Sequence, residues 1–358
     1  MKVLLVTFSD NADHQDTVFG LYERLRESGD LDVWLLAIKT PKVPLRVDAH
    51  TWLVDCPERP GICRKTFNLP LLVSIIRRIK KERFDAVWFE SLHVWNVPIM
   101  MMTGKQTKTY QVIHEVIPHE GDKQVAGVDF MNKVVCRYAD VIVLRNKQYV
   151  SEMIWRYRID ANRVKHLDLW RRYPDFTPPV HNGRALFFGR INPYKGADYL
   201  IEIARQCPDI QFDVVGRIDP QMESVVAELN KAPNVCMNTG YVSDDEMRDA
   251  FIGCDWVIVP YKSASQSGII IDAYKYSRPV LAFGVGAIGE QIENGKSGFL
   301  VPAGDVAEFS RMLNYCMGMP DSLHEDHCHI AYAFGSKKYG LDGAIIRFRK
   351  LLEEDADR

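Results

Sequence analysis

CDWVIVPYKSASQSGIIIDAYKYSRPVLAF, residues 254–283, decides how the chain reads. Trp256 to Pro260 is apolar throughout, as in a strand buried on both faces. Lys262-Ser263-Ala264-Ser265-Gln266-Ser267-Gly268 is a loop of small and polar residues. Ile269 to Tyr276 follows as a helix, and Arg278 to Phe283 as a second buried strand. This is a strand–loop–helix–strand unit of a parallel sheet. Its loop falls at the carboxyl end of a strand, where open α/β sheets bind ligands. Short side chains there leave an anion room to reach backbone N–H groups, and the helix aims its positive end at the same place. Asp272 lies one turn inside that helix, on the face that can look back at the loop. A diphosphate on the loop and a pair of sugar hydroxyls on Asp272 would satisfy both. An ordinary βαβ turn with a polar loop accounts for this stretch equally well.

Outside this unit the composition bounds the answer. At 358 residues the chain exceeds one typical core, so two domains are expected. The net charge of −2 gives no global field toward nucleic acid or anionic lipid. Eight cysteines occur with no C-x-x-C pair, mostly within apolar runs, and read as reduced thiols of a cytosolic protein. The chain opens on a strand rather than a secretory leader, and no apolar stretch is long enough to span a bilayer. These features predict a cytoplasmic location.

β/α alternation extends in both directions. In the first half, strands are predicted at Lys2 to Phe8, Val33 to Ile38, Thr51 to Val54, Asp85 to Phe89, Thr107 to Ile113 and Asp140 to Leu144. Helices are predicted at Thr17 to Glu27, Asn68 to Glu82, Val94 to Met102 and Val128 to Tyr138. Ser9 to Asp16 reads as a polar loop. Leu167 to Gly183, with Pro174, Pro178 and Pro179, reads as an interdomain linker. Alternation then restarts at Arg184 to Phe188 and runs to the helix Val306 to Cys316, with a last helix at Leu341 to Glu354. Two doubly wound domains facing across a cleft are the predicted architecture.

The second half opens on Leu186-Phe187-Phe188-Gly189-Arg190-Ile191-Asn192-Pro193-Tyr194-Lys195-Gly196. Two cations at a strand-to-helix switch are costly to place together without an anion between them, and a diphosphate is the obvious one. Two solvated surface cations are the alternative. No G-x-G-x-x-G follows the first strand, which disfavours dinucleotide redox chemistry.

These residues carry a resemblance. Gly189-Arg190-x4-Lys195-Gly196 resembles the G-R-x4-K-G segment of retaining GT-B glycosyltransferases, particularly family GT4. Asp255 to Pro260 with its loop does so too. Asp272-Ala273 and Pro279-Val280 match that family's E-A-x4-P-V spacing. Glu293-Asn294-Gly295-Lys296-Ser297-Gly298-Phe299-Leu300-Val301-Pro302 is similar to its E-x-G-x-x-G-x-L-V-P run. In the first half, His114 to Gly121 (HEVIPHEG) resembles an H-[DE]-x-x-P-H segment of some members. The resemblance implies a GT-B fold of two Rossmann-like domains: residues 1–168 plus a crossover helix at 341–355, and a nucleotide-sugar domain at 184–340. It implies retained anomeric configuration, no essential metal, and no cofactor besides the nucleotide-diphosphate sugar donor. Arg190 and Lys195 would hold the diphosphate and stabilise its growing charge. Ser267 and Gly268 would offer backbone N–H groups to the phosphates. Tyr241 and Val242 match the nucleobase-contacting segment, Asp272 the acid that holds ribose hydroxyls, and His114 the histidine facing the transferred sugar. Gly189, Gly216, Ser265, Gln266 and Ile269 complete the expected donor-binding set.

The chain departs from the pattern where Ala264 replaces the first acid of E-x7-E, and where Asp272 is one methylene shorter than glutamate. The methyl of Ala264 offers the donor sugar no polar contact from that position. An epimerase or hydrolase of the same fold, or a non-catalytic nucleotide-sugar-binding subunit, are the alternative functions. The acceptor partner is expected to be a saccharide or lipid-linked saccharide of surface polysaccharide assembly, with no nucleic-acid partner. Arg77, Arg78, Lys80, Lys81 and Arg83 crowd the end of one helix and suggest a peripheral contact with the inner membrane leaflet, against the alternative of a solvated helix end. Glu90, Asp122 and Glu290, acids near strand ends, read as solvated loop acids rather than as contacts to acceptor hydroxyls. His324 to His329 (HEDHCH) reads as a surface stretch rather than a zinc site, since adjacent residues on a helix point apart.

Overall fold

The computed structural model describes residues 1–104, 106–116 and 125–356. The chain forms two compact units. The first runs to Arg171 and takes back the segment from Leu341; the second is Arg172–Gly340.

Seven parallel strands build the first unit: β1 Lys2–Thr7, β2 Asp32–Ile38, β3 Thr51–Val54, β4 Ala86–Phe89, β5 Lys108–Ile113, β6 Val141–Leu144 and β7 Val164–His166. Their order is β3-β2-β1-β4-β5-β6-β7. Strand alternation explains why these runs are apolar throughout. On β1, Val3 and Leu5 enter one core while Leu4 and Val6 enter the other; on β4, Ala86 and Trp88 divide from Val87 and Phe89 in the same way. One core is closed by the helices Ala12–Ser28 and Leu341–Ala356, where Phe348 meets the Trp88 ring at 4.9 Å. The other is closed by helices that include Leu69–Glu82, through Leu72, Ile75, Ile76 and Ile79.

The second unit repeats the plan with six strands: β8 Arg184–Phe188, β9 Gln211–Val215, β10 Val235–Asn238, β11 Trp256–Val259, β12 Val280–Phe283 and β13 Gly298–Val301. Their order is β10-β9-β8-β11-β12-β13, all parallel. The succession reverses between β8 and β11, which makes that junction the topological switch point.

Two expectations are corrected and a third is refined. The helix after β1 begins at Ala12, not Thr17, because Asn11 caps it by accepting the His14 N–H at 3.2 Å. The polar run Asn11 to Asp16 is therefore the cap and first turn of a helix. The segment read as the interdomain linker, Leu167 to Gly183, contains the boundary between the units, and its part from Arg172 onward is fastened to the second unit. Buried Arg278 donates to the Thr177 and Pro178 carbonyls at 3.2 and 2.9 Å, and Asp255 accepts the Asn182 and Gly183 N–H groups at 3.0 and 2.7 Å. His324, His327 and Cys328 are not on the surface. They are buried on the helix Asp321–Tyr339, where Asp255 and Lys296 carbonyls lie 3.0 and 2.6 Å from the two imidazoles.

Candidate functional site

The loops after β8 and β11 meet at the switch point of the second unit. The first leaves β8 through Gly189, whose N–H donates to the Val215 carbonyl at 2.9 Å, and passes Arg190, which is exposed. Ile191 then turns inward and donates to the Arg217 carbonyl at 2.9 Å. A short 3-10 turn, Pro193–Lys195, delivers Lys195 to a buried position with Nζ 5.3 Å from the Tyr261 ring centre. Gly196 ends that turn at φ +71°, and a Cβ there would collide with the Pro260 carbonyl. The two loops thus approach at backbone distance, which only glycine allows. Gly216, at φ +146°, does the same between β9 and β8, where a Cβ would strike the Gly189 carbonyl.

The second loop is tied from behind. The Ala287 N–H donates to the Ala264 carbonyl at 3.2 Å. Buried Gln291 clamps Ser267 on both sides: its Oε1 accepts the Ser267 N–H at 2.7 Å and its Nε2 donates to the Ser267 carbonyl at 2.9 Å. This corrects one expectation, since the Ser267 N–H is already engaged. The N–H groups available for a phosphate begin with Gly268, in the first turn of the helix Gly268–Lys275, where no preceding turn can pair them. The Ser267 and Tyr261 hydroxyls are buried close to each other, and burial raises the Tyr261 phenol well above its ordinary range.

The structure brings Gly189, Lys195, Gly216, Gly268 and Ile269 together around this junction; the Ile269 side chain packs against Gly189. Ser265 is buried within the loop, and Gln266 is half-buried. Asp272 is buried one turn into the helix. Tyr241 and Val242 stand beyond β10, two strands from β8, with Tyr241 92% exposed. A buried ammonium facing a helix N-terminus, with small residues between, is an arrangement that holds phosphate oxygens.

The first unit carries a second cluster at its own switch point, between β1 and β4. Glu90 follows β4 and is fully buried, not a solvated loop acid. It is ion-paired with buried Arg145 and accepts from the Trp88 indole at 2.9 Å. Burial favours its neutral form, but the Arg145 charge and the His114 ring outweigh that and hold the carboxyl down at about 2. His114 Nε2 sits 2.8 Å from the Glu90 carbonyl, and its ring stacks on His14 at 4.5 Å. The predicted loop beyond Val116, Ile117 to Gly121, and also Asp122, lie outside the described residues. Glu290 is half-buried. Sequence reasoning missed His14 and Arg145. Their signal was a polar residue directly after a buried strand or within a first turn, which is too common to single out.

Residues 182–318 match the family model for glycosyl transferases group 1. A D-inositol 3-phosphate glycosyltransferase of Streptomyces scabiei is 24% identical over 259 residues, covering 63% of this chain and 56% of that protein. A GDP-mannose:glycolipid 4-beta-D-mannosyltransferase of Xanthomonas campestris is 31% identical over 197 residues, 51% of either chain. The chain thus spans about half the length of the curated relatives it matches. Among solved structures, Anabaena Alr3699/HepE in complex with UDP superposes with a TM-score of 0.73 at 16% identity, over 99% of this chain and 100% of that one. The lipopolysaccharide outer core galactosyltransferase WaaB superposes with a TM-score of 0.72 over 99% and 100%. With two parallel-sheet Rossmann-like units and a match that spans the second sheet, residues 182–318 belong to the glycosyl transferases group 1 family, in a chain of GT-B fold.

Proposed function

We propose that the chain is a retaining hexosyltransferase. It takes a hexose from a UDP- or GDP-sugar and delivers it to a glycan or lipid-linked glycan of surface polysaccharide assembly. The observation that carries this is Lys195, buried at the β8–β11 switch point beside the helix that opens at Gly268. As the bond from the anomeric carbon to the diphosphate breaks, negative charge gathers on the leaving oxygens. A fixed ammonium and unpaired helix N–H groups lower the barrier because they are in place beforehand. Arg190, exposed at the mouth of the same loop, joins them when the donor is bound. Asp272, buried one turn into the helix, takes the ribose hydroxyls, and Tyr241 and Val242 take the base. His114 takes the transferred sugar. The reaction proceeds without a metal, since the cations of the chain itself serve the diphosphate.

The test is incubation of the protein with UDP- and GDP-hexoses and oligosaccharide or lipid-linked acceptors. Product linkage is read by proton NMR, with and without excess EDTA. The expected product keeps the donor's anomeric configuration and forms equally in EDTA. Release of free sugar without transfer would favour a hydrolase, and epimerised donor an epimerase. Tight binding with no turnover on any acceptor would leave a non-catalytic subunit.

We further propose that the protein works in the cytoplasm against an anionic membrane surface. The helix Leu69–Glu82 buries its isoleucines in the core, yet Arg77, Lys80, Lys81 and Arg83 remain exposed at its end. Ile62 and Phe67, 77% and 81% exposed, lie just before it in sequence. Exposed apolar side chains and cations together suit an anionic bilayer interface. Among the described residues no helix is long and apolar enough to cross a membrane.

A further inference from the structure

The cluster at the switch point of the first unit contains more chemistry than packing requires. A buried ion pair that only filled space would gain little over apolar residues of the same shape, because desolvation offsets its attraction. What the Glu90–Arg145 pair does is hold its neighbours in place. Arg145 is fixed from three sides. It pairs with Glu90, donates to the Leu167 and Asp168 carbonyls at 3.2 and 3.4 Å, and lies over the Trp170 ring at 4.4 Å. Glu90 is fixed in turn by Arg145 and the Trp88 indole.

Both oxygens that Glu90 turns toward His114 lie on one ring nitrogen: the carbonyl 2.8 Å and the carboxylate 3.4 Å from Nε2. A carbonyl and an ionised carboxylate only accept, so Nε2 carries the proton and Nδ1 of the neutral ring is left as the acceptor. The other face of the ring is covered by His14, stacked at 15° with centres 4.5 Å apart. His14 is itself held by its Nδ1, 3.2 Å from the buried Ser9 hydroxyl, and by its place in the first turn of the helix Ala12–Ser28. Burial, then the neighbouring His114, Arg59 and Arg145, hold its imidazole well below the ordinary value, against the opposing pull of Glu90. The stack is thus a pair of rings of which His14 stays neutral.

We propose that Glu90, Arg145 and His14 are positioning residues that lock His114 in one orientation and one tautomer, with Nδ1 presented as a hydrogen-bond acceptor. An acceptor nitrogen selects a ligand group that donates, such as a sugar hydroxyl, and turns away phosphate and carboxylate oxygens. The use of this lock in sugar recognition rests on the glycosyltransferase reading; its geometry does not.

The experiment is a two-bond nitrogen–proton NMR spectrum of the isotope-labelled full chain, at a pH where the rings are neutral. His114→Gln assigns the His114 signals. The wild type should show one sharp set with the proton on Nε2. His14→Ala should broaden or split that set as the uncovered ring samples a second orientation, and His14→Phe, which keeps the stack, should restore it. The double variant Glu90→Gln with Arg145→Met, which removes both charges at similar volume, should move part of the proton to Nδ1. If that variant does not fold, the two His14 variants decide alone. A wild-type ring protonated on Nδ1 would overturn the proposal, as would His114 signals unchanged in His14→Ala. None of these signals depends on turnover, so absence of glycosyltransferase activity would leave the result standing.

Discussion

Lys195 and Arg190 share one loop but stand in different environments. The Lys195 ammonium is buried beside an aromatic ring, while Arg190 is exposed. Sequence alone treated the two cations as equivalents; the turn Pro193–Lys195 makes them different. Lys195→Ala should lower turnover at least about tenfold, about 1.4 kcal/mol of barrier, with Arg190→Ala showing a loss of at least that size. Steady-state kinetics on folded variants checks this, and near-wild-type kcat in both would remove the diphosphate assignment. Gln291 was not legible at all. Its importance comes from the two hydrogen bonds it makes to Ser267 across 24 residues of sequence, and no local pattern announces that. Gln291→Ala leaves a buried N–H and carbonyl unpaired, which should cost about 1–3 kcal/mol of stability. Chemical denaturation measures that cost, and donor affinity should fall with it as the loop loosens. Glu90 was misread because a carboxylate after a strand is most often solvated, and its partner Arg145 lies 55 residues away.

At the level of elements, strands were the most legible because burial on both faces makes each an unbroken apolar run. β7 escaped notice: Val164–His166 is three residues long and contains a lysine. The helix Asp321–Tyr339 escaped for a different reason. Its buried face includes His324, His327 and Cys328, so hydrophobic periodicity did not reveal it. The helix Leu69–Glu82 was foreseen from Asn68 to Glu82, and its cationic end carries the membrane proposal. Co-sedimentation with anionic vesicles should show binding that weakens with salt. Binding should weaken again when Arg77, Lys80 and Lys81 are changed to Ser or Gln, since each cation near such a surface contributes on the order of 1 kcal/mol. No binding at low salt, or binding indifferent to those changes, would contradict it.

At the scale of the molecule, two repeats of β/α alternation were enough to foresee two parallel sheets, because each strand must find cover on both faces. The segment read as the interdomain linker, Leu167 to Gly183, contains the boundary between the units, and its residues 172–183 are anchored to the second unit. The anchors are Asp255 and Arg278, which lie far along the chain. The buried charges also set how the whole fold responds to acid. His14 has a lowered folded value, so the unfolded state binds its proton first; stability declines as pH falls below about 6.5. Glu90, held at about 2 against an ordinary 4.5, adds a further loss as pH falls from about 4.5 toward about 2. Unfolding midpoints measured across this range should fall in both windows, and His14→Gln should make the upper one shallower, the rest coming from His93 and His324, which burial also holds below their ordinary values. A profile flat from neutrality to pH about 4.5 in the wild type would contradict the burial of His14 as neutral.

The central claim is that the β8–β11 junction of the second unit binds the diphosphate of a nucleotide sugar. Isothermal titration of the wild type and of Lys195→Ala with UDP, GDP, UDP-glucose and GDP-mannose tests it most directly. The wild type should bind at least one nucleotide and its sugar saturably, without added metal, and Lys195→Ala should weaken that binding at least about tenfold in a variant that stays folded. Absence of binding by any of the four, or binding that Lys195→Ala leaves unchanged, would contradict it.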